Sequence, residues 1–140
     1  MDKISREARS EVMRRVKNKN TRPELIIRRL LHRRGFRFRL HRPDLPGRPD
    51  IVFPKHKKIL LIHGCFWHRH EQCKRATTPV DNADYWRAKF ERNVLRDLEV
   101  IAALTDLGWH VRVVWECDIK DRKKIDRLIE EIAVWLKYSV

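Results

Sequence analysis

Apolar and polar positions along this chain follow two alternating periods. Between Thr21 and Arg34 the apolar residues recur at helical spacing, with Leu25, Ile26, Leu30 and Leu31 on the expected inner face. Thr21-Arg22-Pro23-Glu24 has the form of a capping box with proline in the first turn, and Gly35 marks the stop. The period then falls to two. Phe36, Phe38 and Leu40 alternate with arginines, as in a half-buried strand. Residues 50–53 and 58–63 are short apolar runs that suit buried strands. A long helix is predicted over 84–107, with Val94, Leu98 and Ile101 inward and Gly108 at its end. Alternation returns over 109–115. A last helix, 123–137, carries Ile125, Leu128, Ile129, Ile132 and Leu136 at helical spacing. With a weakly amphipathic helix over 5–17, the order is α-α-β-β-β-α-β-α. That order predicts an α/β fold with a mixed central sheet flanked by helices.

The Pro/Gly-rich stretch 42–50, RPDLPGRPD, is too short to separate domains and reads as a tight loop. The 140 residues are therefore expected to form one domain, with 1–20 as a basic N-terminal helical segment. No apolar run is long enough to span a bilayer, and no signal segment follows Met1, so a cytoplasmic location is expected.

Charge narrows the partner. The net charge is +14, and it is uneven: Met1–Arg42 holds 15 Lys/Arg against 4 Asp/Glu, the remainder 18 against 15. A one-sided basic field attracts a polyanion. No long apolar stripe backs it, which disfavours a membrane surface and leaves nucleic acid.

The densest chemistry lies in HGCFWHRHEQC (63–73), followed at a distance by Cys117. Without an export signal, three cysteines among histidines point to metal rather than disulfide. Cys65, His70, Cys73 and Cys117 complete a Cys₃His set suited to structural zinc, tying the loop to the strand 109–115. His63 and His68 then have no structural task. Asp50 opens a strand after the proline-rich turn, a usual place for a carboxylate that holds Mg²⁺ against a phosphate. A histidine titrating near neutrality can move the proton of an attacking water. Glu24 is accounted for by its capping position. Lys89, Asn93 and Asp97 share one helix face as a polar stripe. Phe66, Trp67, Tyr85 and Trp86 are open to two roles, packing in the core or wedging between bases.

LPGRPDIVF (45–53), HGCFWHRHEQC, YWRAKFERNVLRD (85–97) and GWHVRVVWEC (108–117) together resemble the very short patch repair (Vsr) endonucleases, over about Arg9 to Cys117. The resemblance implies a restriction-endonuclease-like fold with a structural zinc site and a nuclease that nicks DNA 5′ to the thymine of a T·G mismatch. It implies Mg²⁺ on Asp50 and the main-chain carbonyl of Ile62, with His68 activating water and His63, Glu24 and Asp97 in support. Cys65, His70, Cys73 and Cys117 would hold zinc. Phe66, Trp67 and Trp86 would intercalate from the major groove and Met13 from the minor groove, with Lys89 and Asn93 among the DNA contacts. Implied neighbours are a cytosine-5 methyltransferase and mismatch-repair proteins, and the implied setting is the bacterial nucleoid. The usual acid-x-lysine pair of the wider fold is absent: β-strand residues Ile62-His63-Gly64 stand there, as the Vsr pattern implies. Ile62 replaces the threonine of better-known members, which a carbonyl ligand tolerates and a hydroxyl ligand would not. Three rival readings are a nuclease of the same fold with another lesion preference, a non-catalytic, zinc-stabilised DNA-binding module, and an RNA-directed nuclease.

Overall fold

The computed structural model describes residues 20–138. The expected helix over 5–17, with Met13, lies outside the described residues. The elements are α1 (Arg22–Arg33), β1 (Arg39–Leu40), β2 (Ile51–Phe53), β3 (Lys58–His63), α2 (Ala83–Asp106), β4 (His110–Trp115), α3 (Glu116–Lys120) and α4 (Ile125–Tyr138). None of the described helices is long and apolar enough to cross a membrane.

The Thr21 hydroxyl accepts the Glu24 N–H at 3.4 Å, the capping contact expected from the sequence. The buried line of α1 runs through Pro23, Ile27 and Leu31, at four-residue spacing. Leu25, expected inward, is 42% exposed because it falls off that line. The strand expected over 36–40 shortens to β1. Phe36 and Phe38 still enter the core, meeting Phe53 edge-on at 6.4 and 5.8 Å between ring centroids, without ladder pairing.

The sheet has four strands in the order β1-β2-β3-β4. β1–β2 and β2–β3 pair antiparallel, and β3–β4 pair parallel through the α2 crossover. Strand alternation divides the core in two. Ile51, Phe53, Leu60 and Val114 pack with Ile27 and Leu31 of α1 and with Ile129, Ile132 and Leu136 of α4. Val52, Ile59 and Leu61 pack on the other face with Leu104 of α2 and with Trp109. β3 is thus covered on both sides, which is why its run is apolar throughout. Its exception, the buried Lys58, donates from Nζ to the carbonyls of Trp135 and Leu136 near the end of α4.

α2 departs from expectation at Leu98, which is 60% exposed. The helix instead buries Trp86, Phe90 and Leu104. Between Phe90 and Leu104 that same face carries Asn93 and Asp97, both half-buried. Polar residues in the middle of an inward face shift the apparent apolar stripe away from it.

The loop leading to β2 lies against α2 at Gly47. Its φ is +72°, and a Cβ there would stand 2.6 and 2.8 Å from the Val100 methyl carbons. Gly47→Ala should therefore destabilise by ~2–3 kcal/mol, combining backbone strain with overpacking. Gly35→Ala, with φ +92° but nothing within 4 Å of the new methyl, should cost only about 1 kcal/mol. Urea unfolding of the two variants side by side checks the ordering; equal losses would contradict the close approach.

Candidate active site

β3 and β4 end in register, His63 opposite Trp115. Two residues beyond each end stand Cys65 and Cys117. The turn after β3 is tight: the His68 N–H donates to the Gly64 carbonyl and the His70 N–H to that of Cys65, each at 3.1 Å. This folds His70 back onto the strand ends. Its Nδ1 lies 3.6 Å from Cys65 Sγ and 3.4 Å from Cys117 Sγ. With Cys73 the four ligand atoms lie within 4.8 Å of one another. Tetrahedral zinc with ordinary bond lengths separates sulfur from nitrogen by ~3.6 Å, so this donor set fits that ion. The Trp115 ring stacks on His70 at 4.2 Å, and Glu116 Oε1 accepts the Cys65 N–H at 3.0 Å. Burial pushes the Cys65 thiol up to about 12, so it stays protonated unless a metal displaces the proton.

On the other side of Trp115, His63 and His68 stack with centroids 3.9 Å apart. Asp97 reaches in from α2, its Oδ2 2.7 Å from His68 Nδ1. A carboxylate there favours the tautomer with Nδ1 protonated, which leaves Nε2 as the basic nitrogen. Burial first, then His68, lowers the His63 pKa to about 4, so His63 is neutral at physiological pH.

Asp50 lies just before β2, and its Oδ2 accepts the Ile62 N–H at 2.8 Å. Burial raises its pKa to about 6; the Ile62 bond opposes the shift, and the nearby Glu24 adds to it. The charges of His41 and His68 also oppose the shift. Glu24 is 1% exposed. Its carboxylate receives Arg28 Nη1 at 2.6 Å and meets His41 Nε2 at 2.9 Å. The capping account of Glu24 is thus corrected: its backbone serves the cap, while its side chain turns inward beside Asp50.

The aromatic residues form one cluster beside this site. Phe66 contacts Trp67, Trp86 and Phe90 at 5.1, 6.2 and 5.2 Å between centroids. Lys89 Nζ lies over the rings of Trp67 and Trp86 at 5.3 and 5.8 Å. Arg69 lies 4.0 Å from the Phe90 centroid and donates to the carbonyls of Phe66, Ala76 and Thr77 and to the Thr78 hydroxyl. Phe66 and Trp67 are half-buried, while Trp86 is only 5% exposed. Stacking of Trp86 on a base would therefore require this cluster to open.

A family model described as DNA mismatch endonuclease Vsr matches residues 1–75. A type II nicking enzyme of Xanthomonas oryzae pv. oryzae, V.XorIIP, is 48% identical over 131 residues, 94% of this chain and 96% of that protein. The DNA mismatch endonuclease Vsr of Escherichia coli K12 is 37% identical over 130 residues, 91% of this chain and 83% of that protein. The chain belongs to the DNA mismatch endonuclease Vsr family.

Against the expectations for a Vsr endonuclease, the structure brings together Asp50 with Glu24, His63 with His68 and Asp97, and the four zinc-type residues. Ile62 meets Asp50 through its main-chain N–H, a contact distinct from the carbonyl expected as a ligand. Asn93 lies half-buried on the face of α2 that carries Asp97. His41 was missed. It stands next to the proline-rich loop in no recognisable spacing, and its contact with Glu24 spans 17 residues.

Because Asp50 titrates near 6 rather than at the ordinary 3.8, its contribution to stability is full below about pH 4 and lost as pH rises through 6. Asp50→Asn should therefore exceed the wild type in stability at pH 8, by up to about 3 kcal/mol, with the difference vanishing below pH 4. Denaturant unfolding without added divalent cation checks this; equal stability at pH 8 would show that Asp50 is not a strained charge.

Proposed function

We propose that this Vsr-family chain is a Mg²⁺-dependent DNA endonuclease that nicks one strand 5′ to the thymine of a T·G mismatch, the lesion left by deamination of 5-methylcytosine. The observation that carries the reading is the half-buried Asp50, held by the Ile62 N–H near the end of β3, together with the His68–Asp97 pair just beyond that strand. A protein that only bound DNA would have no use for a histidine oriented by a carboxylate, as His68 is by Asp97. The mixed sheet, with its chemistry at the ends of β2 and β3, supports a restriction-endonuclease-like fold.

The oxygen ligands here would be the Asp50 and Glu24 carboxylates and the Ile62 carbonyl, with the His41 ring alongside them held on Glu24. This oxygen-rich set suits Mg²⁺, whereas the three thiols and imidazole at the strand ends suit zinc. When bound, the divalent cation supplies a Lewis acid and counter-charge at the scissile phosphate. His68 Nε2 takes the proton of the attacking water, Asp97 holds the ring and offsets the charge it gains, and His63 presses against its other face. The water oxygen bonds to phosphorus as the bond to the 3′ oxygen breaks. The zinc-type loop holds His68 at a fixed distance from β3, which is the positioning a proton transfer needs.

Lesion choice is assigned to the Phe66–Trp67 edge of the aromatic cluster. Wedging between base pairs costs a few kcal/mol of stacking, and least at a mispaired step. Lys89 and Asn93, on the adjacent face of α2, serve as DNA contacts.

On a T·G duplex with Mg²⁺, His68→Ala should slow single-turnover nicking by ~10²–10⁴. Asp50→Ala should slow it by at least ~10³. Both should bind the duplex as the wild type does; retained nicking in Asp50→Ala would end the metal-site reading. The purified chain should also carry about one equivalent of zinc, absent from Cys73→Ser. Metal analysis showing equal zinc in both would remove Cys73 from the ligand set.

A further inference from the structure

His41 lies at the centre of a run of contacts that ends on Asp50. Asn20 Oδ1 and Glu24 Oε2 both accept from Arg28 Nη1, at 2.8 and 2.6 Å. The second oxygen of Glu24, Oε1, meets His41 Nε2 at 2.9 Å. The main-chain N–H of His41 donates to the Asp50 carbonyl at 3.2 Å. One residue thus holds Asp50 by its backbone and Glu24 by its ring.

Its backbone is unusual as well. His41 has a φ of +48°, a left-handed conformation that a side chain with a Cβ seldom adopts. Such strain persists where the surroundings over-determine it. Here the left-handed turn allows the N–H to point at Asp50 while the ring reaches back to α1. Glu24, Asp50 and His41 each place a ligand-type atom within 4.8 Å of the others. Two carboxylates so close, one of them fully buried, repel one another, and an imidazole N–H donated to that one holds the arrangement in place.

We propose that His41 is a positioning residue that pre-arranges the Glu24 and Asp50 carboxylates for the divalent cation. The inference rests on the metal reading given above and adds to it a residue that neither contributes to the cleavage step nor touches DNA. His41 acts through the N–H it donates to Glu24, so any side chain able to donate from the same place should serve.

Two substitutions separate this role from a general need for the left-handed turn. Asparagine tolerates that backbone but is too short to reach Glu24 as the imidazole does. Glutamine is long enough and carries an amide donor. Binding of Mn²⁺, a paramagnetic stand-in for Mg²⁺, to the zinc-loaded chain without DNA can be followed by loss of the free-ion electron paramagnetic resonance signal. His41→Asn should weaken binding by ~10–100-fold, the usual effect of removing a group that orients a metal ligand. His41→Gln should restore most of it. In nicking assays the loss in His41→Asn should fall more on the Mg²⁺ concentration required than on the rate at saturation. Wild-type affinity in His41→Asn, or a loss that His41→Gln does not recover, overturns the positioning role. A wild-type chain that binds no Mn²⁺ at Asp50, judged against Asp50→Asn, overturns the metal reading itself and this role with it.

Discussion

The parallel pairing of β3 with β4 brings two strand ends to one level, and the chemistry of the protein hangs from that level. His63 and Trp115 are opposite each other. Cys65 and Cys117 follow at equal distances, so a loop and a helix that are far apart in sequence begin side by side. Trp115 stands between the two sets of groups, stacked on His70 on one side and edge-on to His63 on the other. A shift of one register position would turn each side chain of β4 to the opposite face and part both sets. The zinc-type group and the His68 group are consequences of one ladder, and their proximity is not an independent arrangement.

The second constraint is buried charge. Glu24 is buried and Asp50 half-buried, and only part of the cost of their charge is met by protein donors. Glu24 is matched by Arg28 and His41. Asp50 receives one main-chain N–H and remains held above its ordinary pKa. A cation bound beside Asp50 would remove that penalty. The imbalance at Asp50 is therefore an argument about function drawn from energetics.

Much of this was legible in the chain because the signals were local. Thr21 and Gly35 bound α1 through capping geometry, and the apolar run 58–63 and the alternation in 109–115 mark strands. Cysteine and histidine are scarce enough that their crowding in 63–73 pointed to Cys65, His70 and Cys73, which the structure brings together with Cys117. The failures share a different cause. Leu98 was placed inward because the polar Asn93 and Asp97 occupy the inner face of α2 and interrupt its apolar stripe. Glu24 looked complete as a cap because a side chain's second use cannot be read from its neighbours in sequence. His41 gave no signal, since its role depends on the loop 41–49 folding back toward α1. The short α3 passed unnoticed because five residues are too few to show a helical period.

The position and mismatch dependence of cleavage test the account most directly. End-labelled duplexes that differ at one base pair, T·G against T·A, can be incubated with the wild-type chain and Mg²⁺ and resolved at single-nucleotide length. The account predicts a single nick 5′ to the mispaired thymine and an intact opposite strand, with the T·A duplex left largely uncut. Cutting of both strands, or equal cutting of the matched duplex, would contradict it.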